Sequence, residues 1–174
     1  MIINYMYPFT ETFLDYPDDE SLALSIYFLG CDNGCIDCSN PQFIDSNYEK
    51  GEHTELDIFI DRVKLSSKKS NTNKLVFLGV DSLSIENISK TQEILNNLYN
   101  EFDICIYTGH NIDHVLKYSI TKFNYLKCGR YINELKQESI KTDIYLKFAS
   151  SNQKLYDHQF NLLSENAIYY FKRG

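Results

Sequence analysis

Two rhythms of apolar and polar positions run along this chain. Short apolar runs bounded by turn residues predict buried strands, and apolar positions three and four apart predict helices. The run Leu22-Ala23-Leu24-Ser25-Ile26-Tyr27-Phe28-Leu29 ends in Gly30 and predicts the first strand. Residues 74–78 and 103–108 predict two more, the latter stopped by Gly109, and residues 125–128 a fourth. Between them, Leu56, Phe59, Ile60 and Val63 mark a helix running to about Leu65. Thr54-Glu55-Leu56-Asp57 before it reads as a capping box. Ile85, Ile88, Ile94, Leu95 and Leu98 mark a second helix ending near Asn100, and residues 112–118 a short third. Residues 1–20 show no clear period, and their prolines suit loop or edge segments. Residues 43–53 and 66–73 are polar and predict loops. In the tail, the aromatic-rich segments 144–148 and 167–171 each suit an edge strand.

Strands alternating with helices indicate βαβ units with a parallel sheet and right-handed crossovers. About five or six mostly parallel strands are too few to close an eight-stranded barrel. The expectation is an α/β fold, an open partial (β/α) barrel, in a single domain over residues 1–174, which a chain of 174 residues is long enough to support. Functional residues of such folds gather at the carboxyl ends of the strands. Gly30-Cys31, Gly79-Val80-Asp81, Thr108-Gly109 and Cys128-Gly129 fall at those ends.

The first of these ends carries the densest chemistry. In Cys31-Asp32-Asn33-Gly34-Cys35-Ile36-Asp37-Cys38, three of the five cysteines stand within eight residues at C-x3-C-x2-C spacing. A short loop of thiolates can wrap an iron–sulfur cluster, and this spacing differs from zinc pairs and from the ferredoxin run. Three thiolates on a four-iron cluster leave one iron open, as an open position marks catalytic zinc. The alternative is an inert iron–sulfur knot or a structural zinc, for which His53, Cys105 or Cys128 would be the fourth ligand.

The motif after a strand resembles the signature of radical S-adenosylmethionine (radical SAM) enzymes. The flanks Gly30-Cys31 and Ser39-Asn40-Pro41-Gln42 resemble those of activating proteins of anaerobic ribonucleoside-triphosphate reductase. So do Leu78-Gly79-Val80-Asp81-Ser82-Leu83, Ile106-Tyr107-Thr108-Gly109, the block from Cys128-Gly129-Arg130 to Leu135, and Ser150-Ser151-Asn152-Gln153, in the family's order over residues 2 to 157. The resemblance implies a radical SAM-like fold and a [4Fe-4S] cluster held by Cys31, Cys35 and Cys38. It also implies S-adenosyl-L-methionine chelated to the open iron and split to a 5′-deoxyadenosyl radical, which then makes a glycyl radical on the reductase. The partners it implies are the reductase large subunit and a low-potential electron donor such as flavodoxin. It places Gly79 and Asp81 at the methionine amino group, and Asp37 and Ser39 near the adenosine, with Ile36 either on the adenine or under the cluster. The family's Gly-Gly-Glu/Asp-Pro stands here as Gly79-Val80-Asp81-Ser82, so only the first glycine and the acid survive. Other readings are a non-catalytic iron–sulfur or zinc protein on this scaffold, serving electron transfer or binding, and an activase for a different glycyl-radical enzyme.

Charge narrows the partners. A net charge of −7 gives no electrostatic case for nucleic-acid binding. No apolar stretch of about 18 residues suggests a membrane span. Clustered thiols without a secretion pattern at Met1-Ile2-Ile3-Asn4-Tyr5 predict a reducing, cytoplasmic setting. His110 and His114 stand four apart and read as a solvated helical pair rather than a metal site. Cys105 reads as a small core residue. Cys128, followed by glycine at a strand end, is a site candidate by position, and the resemblance makes the segment 150–153 another.

Overall fold

The computed structural model describes residues 1–19 and 22–172. Residues 20, 21, 173 and 174, among them the last residue of the unperiodic N-terminal stretch, lie outside it. In chain order the elements are strands β1 (Ile2–Tyr5), β2 (Thr10–Thr12), β3 (Ala23–Phe28) and β4 (Glu52–Glu55), helix α1 (Leu56–Ser70), β5 (Lys74–Gly79), α2 (Ile88–Leu98), β6 (Asp103–Thr108), α3 (Ile112–Lys117) and β7 (Tyr125–Cys128). The chain finishes with β8 (Ile140–Lys141), β9 (Tyr145–Lys147), β10 (Lys154–Asp157) and β11 (Ile168–Tyr170).

Among the described residues, eight strands form one sheet in the order β10-β7-β6-β5-β3-β1-β4, with β2 also paired to β3. The strands β3, β5, β6 and β7 are parallel, and the three segments joining them in turn carry α1 (preceded by β4), α2 and α3. Antiparallel β10 extends one edge, and antiparallel β1 and β4 the other. A separate antiparallel sheet holds β11, β9 and β8.

The period of two in the strands sorts side chains to two faces. Leu24, Ile26 and Phe28 of β3, Leu75 and Phe77 of β5, Ile104 and Ile106 of β6, and Leu126 of β7 meet Phe59 and Val63 of α1, Ile94, Leu95 and Leu98 of α2, and Val115 of α3. Phe59, Phe77 and Phe28 are essentially sealed from solvent and pack ring against ring. Burying each such ring stabilises the fold by about 1.5–3 kcal/mol. The opposite, inner face carries Val76, Cys105, Tyr107, Tyr125 and Lys127. Its floor is covered by Tyr16 from the N-terminal segment and by Phe148, Leu146 and Tyr169 from the small sheet.

Four local readings are corrected. The N-terminal stretch contains β1, whose Ile3 and Tyr5 are buried in the main core. Residues 52–55, expected as loop and cap, form polar edge strand β4. Thr54 therefore cannot cap: its hydroxyl pairs with Tyr5 Oη at 3.1 Å, and α1 begins at Glu55 without a side-chain cap bond. Helix α1 also runs to Ser70, because buried Ser67 gives the polar last turn an inner side and Asn71 closes it in the left-handed conformation. The two aromatic tail segments do pair, with each other, as β9 and β11. No helix among the described residues is long and apolar enough to cross a membrane.

Candidate functional site

Strand β3 delivers the chain into the cysteine loop. Gly30 follows at φ +91°, a left-handed conformation open to glycine, and its N–H donates to the Phe43 carbonyl at 2.9 Å. Cys31 N–H donates to the Ile44 carbonyl at 3.2 Å, so the loop returns past its own start. Asn87, at the entry to α2, fastens this strand end from behind. Its amide donates to the carbonyls of Leu29 (2.8 Å), Gly30 (3.1 Å) and Asp81 (3.1 Å).

Cys31, Cys35 and Cys38 are half-buried, free thiols, and all three line one end of a cavity of about 640 Å³ on the inner face. Two sulfurs already accept hydrogen bonds. Cys31 Sγ takes the Asn33 backbone N–H (3.4 Å) and side-chain amide (3.5 Å), and Cys38 Sγ takes the Asn40 N–H (3.4 Å). Burial pushes the Cys31 thiol up, opposed by the two Asn33 donors, and pushes Cys35 up, opposed by the Arg130 guanidinium. Among the described residues, no three His, Cys, Asp or Glu side chains converge on a single-ion site. A four-iron cluster asks for something else: one thiolate per iron, hence sulfurs held apart around a shared cavity and supplied with N–H donors. The three cysteines fit that demand.

The proposed fourth ligands lie elsewhere. His53 is on edge strand β4, its Nδ1 3.0 Å from Asn4 Oδ1. Cys105 is sealed beneath Tyr16 on the inner face, and Cys128 is buried on the helix face. His110 and His114 are stacked, with ring centroids 3.7 Å apart at 4°, and each is partly exposed yet bonded to a protein group. His110 Nε2 meets Asp32 Oδ1 at 3.1 Å, and His114 Nε2 donates to the Leu83 carbonyl at 2.9 Å.

Of the residues placed at a ligand by resemblance, Gly79 and Ser39 line the cavity, as does Val80. Gly79 has φ +100°, and a Cβ there would stand 2.6 Å from the Phe28 carbonyl oxygen, so its lack of a side chain serves the close β3–β5 approach. Asp37 is exposed at the outer rim of the loop, and Ile36 beside it is 99% exposed. Asp81 lies under the cavity rather than in it. Its carboxylate is 1% exposed and accepts from four donors: Leu83 N–H on Oδ1 (2.8 Å), and Asn33 Nδ2 (2.5 Å), Thr108 Oγ1 (2.9 Å) and Gly109 N–H (2.9 Å) on Oδ2. Burial pushes its pKa up, against His110 and these donors. Ser82, where the resemblance expects proline, is buried with its hydroxyl unpartnered among the described residues.

The structure adds residues that spacing did not reveal. Lys127, on the inner face of β7, lines the cavity. Its ammonium lies 5.0 Å from the Tyr107 ring centroid and 5.9 Å from that of Phe148, and makes no ion pair or hydrogen bond among the described residues. Burial lowers its pKa to about 8, against the Cys128, Asp81, Cys105 and Asp15 charges. A lysine in a strand reads as an outward residue unless the buried face is known. Arg130 NH1 donates to the Asn33 carbonyl at 2.9 Å, tying the cluster loop to the end of β7. The segment 150–153 braces that same end. Gln153 Nε2 donates to the Gly129 carbonyl (3.1 Å) and Asn152 Nδ2 to that of Arg130 (3.0 Å), and Gln153 reaches the cavity wall. Ser139, Lys141, Leu146 and Phe148, in and beside β8 and β9, close the far side.

A family model described as a 4Fe-4S single cluster domain matches residues 20–156. No curated protein matches the chain.

Proposed function

The chain belongs to the 4Fe-4S single cluster domain family, and on that premise we propose that it cleaves S-adenosylmethionine reductively and passes the resulting radical to a glycine of an anaerobic ribonucleoside-triphosphate reductase. The observation carrying this reading is the cavity itself: three thiols at one end, strand termini along its side, and within the same space the ammonium of Lys127, which makes no ion pair or hydrogen bond among the described residues. A purely structural cluster needs no adjoining cavity of about 640 Å³, whereas sites for small ligands are of this size.

Cys31, Cys35 and Cys38 hold the cluster, which when bound supplies one electron at low potential. With S-adenosylmethionine bound beside it, that electron would break the bond from the sulfonium sulfur to the 5′ carbon and so supply methionine and a 5′-deoxyadenosyl radical. That radical would take a hydrogen atom from the partner's glycine, leaving 5′-deoxyadenosine and a glycyl radical. A low-potential one-electron donor of the flavodoxin class restores the electron. The protein's own part is positioning. The main chain at Gly79 and Val80 faces the methionine end, Lys127 receives its carboxylate, and Ser39, with the rim at Ile36 and Asp37, borders the adenosine. Asp81 supports this end from beneath, through Asn33, Thr108 and Gly109.

The test is anaerobic incubation of dithionite-reduced, cluster-loaded protein with S-adenosylmethionine, with and without the reductase. The expected result is 5′-deoxyadenosine together with an EPR doublet on the reductase, both lost in Cys35→Ala. An intact cluster that gives no 5′-deoxyadenosine assigns the protein to electron transfer or binding instead. Product that forms without a doublet on the reductase rules out this partner.

A further inference from the structure

We propose that Asn33, gripped by Asp81 and Gly109, is a positioning residue that sets the hydrogen bonding of the Cys31 sulfur and thereby the reduction potential of the cluster. The proposal rests on the cluster being held by the three cysteines, and it needs neither S-adenosylmethionine nor a partner protein.

Asn33 is fixed from three sides. Its side-chain amide donates to Asp81 Oδ2 at 2.5 Å and to Cys31 Sγ at 3.5 Å, and its backbone N–H donates to the same sulfur at 3.4 Å. Its carbonyl accepts from Arg130 at 2.9 Å. Gly109 supplies the space: a Cβ there would stand 2.6 Å from Asn33 Nδ2 and 2.7 Å from Cγ. The acceptor that orients this amide is itself immobile. Asp81 is 1% exposed, anchored by Thr108 and Gly109 at the end of β6 and by Leu83, so it cannot swing to another partner without leaving buried donors unpaired.

The electrostatic consequence follows from charge. Reduction adds an electron that spreads partly onto the thiolate sulfurs, and N–H donors at sulfur stabilise that added charge. Asn33 gives Cys31 two such donors, and one of them is the side-chain N–H whose direction Asp81 fixes. Without that amide the reduced state is less favoured, so the potential falls. Asp81 thus acts on the cluster through Asn33.

The experiment is an anaerobic redox titration of reconstituted protein, followed by the EPR signal of the reduced cluster, with iron and sulfide measured on each sample. Asn33→Ala is expected to keep the cluster and shift the midpoint potential to more negative values. Gly109→Ala, which crowds the same amide without changing charge, is expected to shift it in the same direction. The double variant should shift no further than Asn33→Ala alone, because both changes remove one interaction. Coincident potentials for wild type and Asn33→Ala at equal cluster content overturn the proposal, as does full additivity in the double variant. If Asn33→Ala assembles no cluster, Gly109→Ala decides by itself: a negative shift supports the proposal and an unchanged potential overturns it. A wild-type protein that assembles no cluster overturns it together with its premise. Failure to cleave S-adenosylmethionine, with these shifts present, refutes only the proposed function.

Discussion

Lys127→Met is expected to make the protein more stable and a poorer binder of S-adenosylmethionine. The wild-type ammonium sits in the cavity against two aromatic rings, with no anion bonded to it among the described residues. Its pKa falls from 10.5 to about 8, chiefly through burial. A displacement of that size corresponds to about 3 kcal/mol of destabilisation when the group is charged. The side chain keeps partial access to solvent through the cavity, so screening reduces this to about 1–2 kcal/mol. Methionine forgoes a cation–π attraction of about 0.5–1 kcal/mol but keeps contact with both rings through sulfur. The melting temperature of the variant should then exceed that of wild type by about 2–5 °C near pH 7. The pH dependence has a fixed sign. Below about pH 8 the lysine is charged in both folded and unfolded chains and the cost is fully present. Between about 8 and 10.5 the folded chain releases its proton first, so wild type gains on the variant until the difference closes. Against this gain, loss of a charge-assisted bond to the ligand carboxylate costs about 1.5–3 kcal/mol, or roughly 10- to 100-fold in Kd. Melting followed by far-UV circular dichroism at pH 7 and 9.5, and anaerobic equilibrium binding of S-adenosylmethionine, measure the two halves. A variant that melts lower and binds equally well would refute the reasoning, since Lys127 would then be a structural cation.

Three further outcomes are expected. Ser82→Ala should raise stability by about 1 kcal/mol in thermal melts, because the buried hydroxyl has no partner to lose; a drop of that size would reveal a bond. Tyr107→Phe removes the 2.7 Å bond from its hydroxyl to the Asp15 carbonyl. It should cost about 1 kcal/mol and speed proteolysis around residues 13–19, which limited digestion followed by mass spectrometry detects. Cys105→Ala should retain full iron and sulfide after reconstitution while Cys31→Ala, Cys35→Ala and Cys38→Ala lose them, because Cys105 is enclosed by Tyr16, Ala23 and Val76.

The parallel strands were legible in sequence because each is short, mostly apolar and stopped by glycine or a turn. The predicted bounds at 103–108 and 125–128 coincide with β6 and β7. Polar β4 was illegible for the converse reason: an edge strand of Glu52, His53, Thr54 and Glu55 gains its stability from backbone pairing with β1, which leaves no mark in side-chain pattern. At the site, the cysteines announced themselves by spacing, whereas their support did not. Asn33, Asn87, Lys127 and Arg130 are ordinary polar residues until the fold brings residues 33, 81, 109 and 130 together. Its place at a strand end and the resemblance marked Asp81, and the structure adds that its carboxylate is buried with four donors.

The small sheet of β8, β9 and β11 bears on the order of biosynthesis. The cysteine loop and all four parallel strands lie within the first 128 residues, whereas Ser139, Lys141, Leu146 and Phe148, which wall the cavity, are translated afterwards. Synthesis runs from the N-terminus, so the cysteine loop exists before the residues that wall the cavity. Until those residues are made, the inner face has Tyr16 from the N-terminal segment over it but no far wall to the cavity. Docking of the last strands then narrows the entrance, so metallation before chain release and metallation of the finished protein proceed through openings of different size.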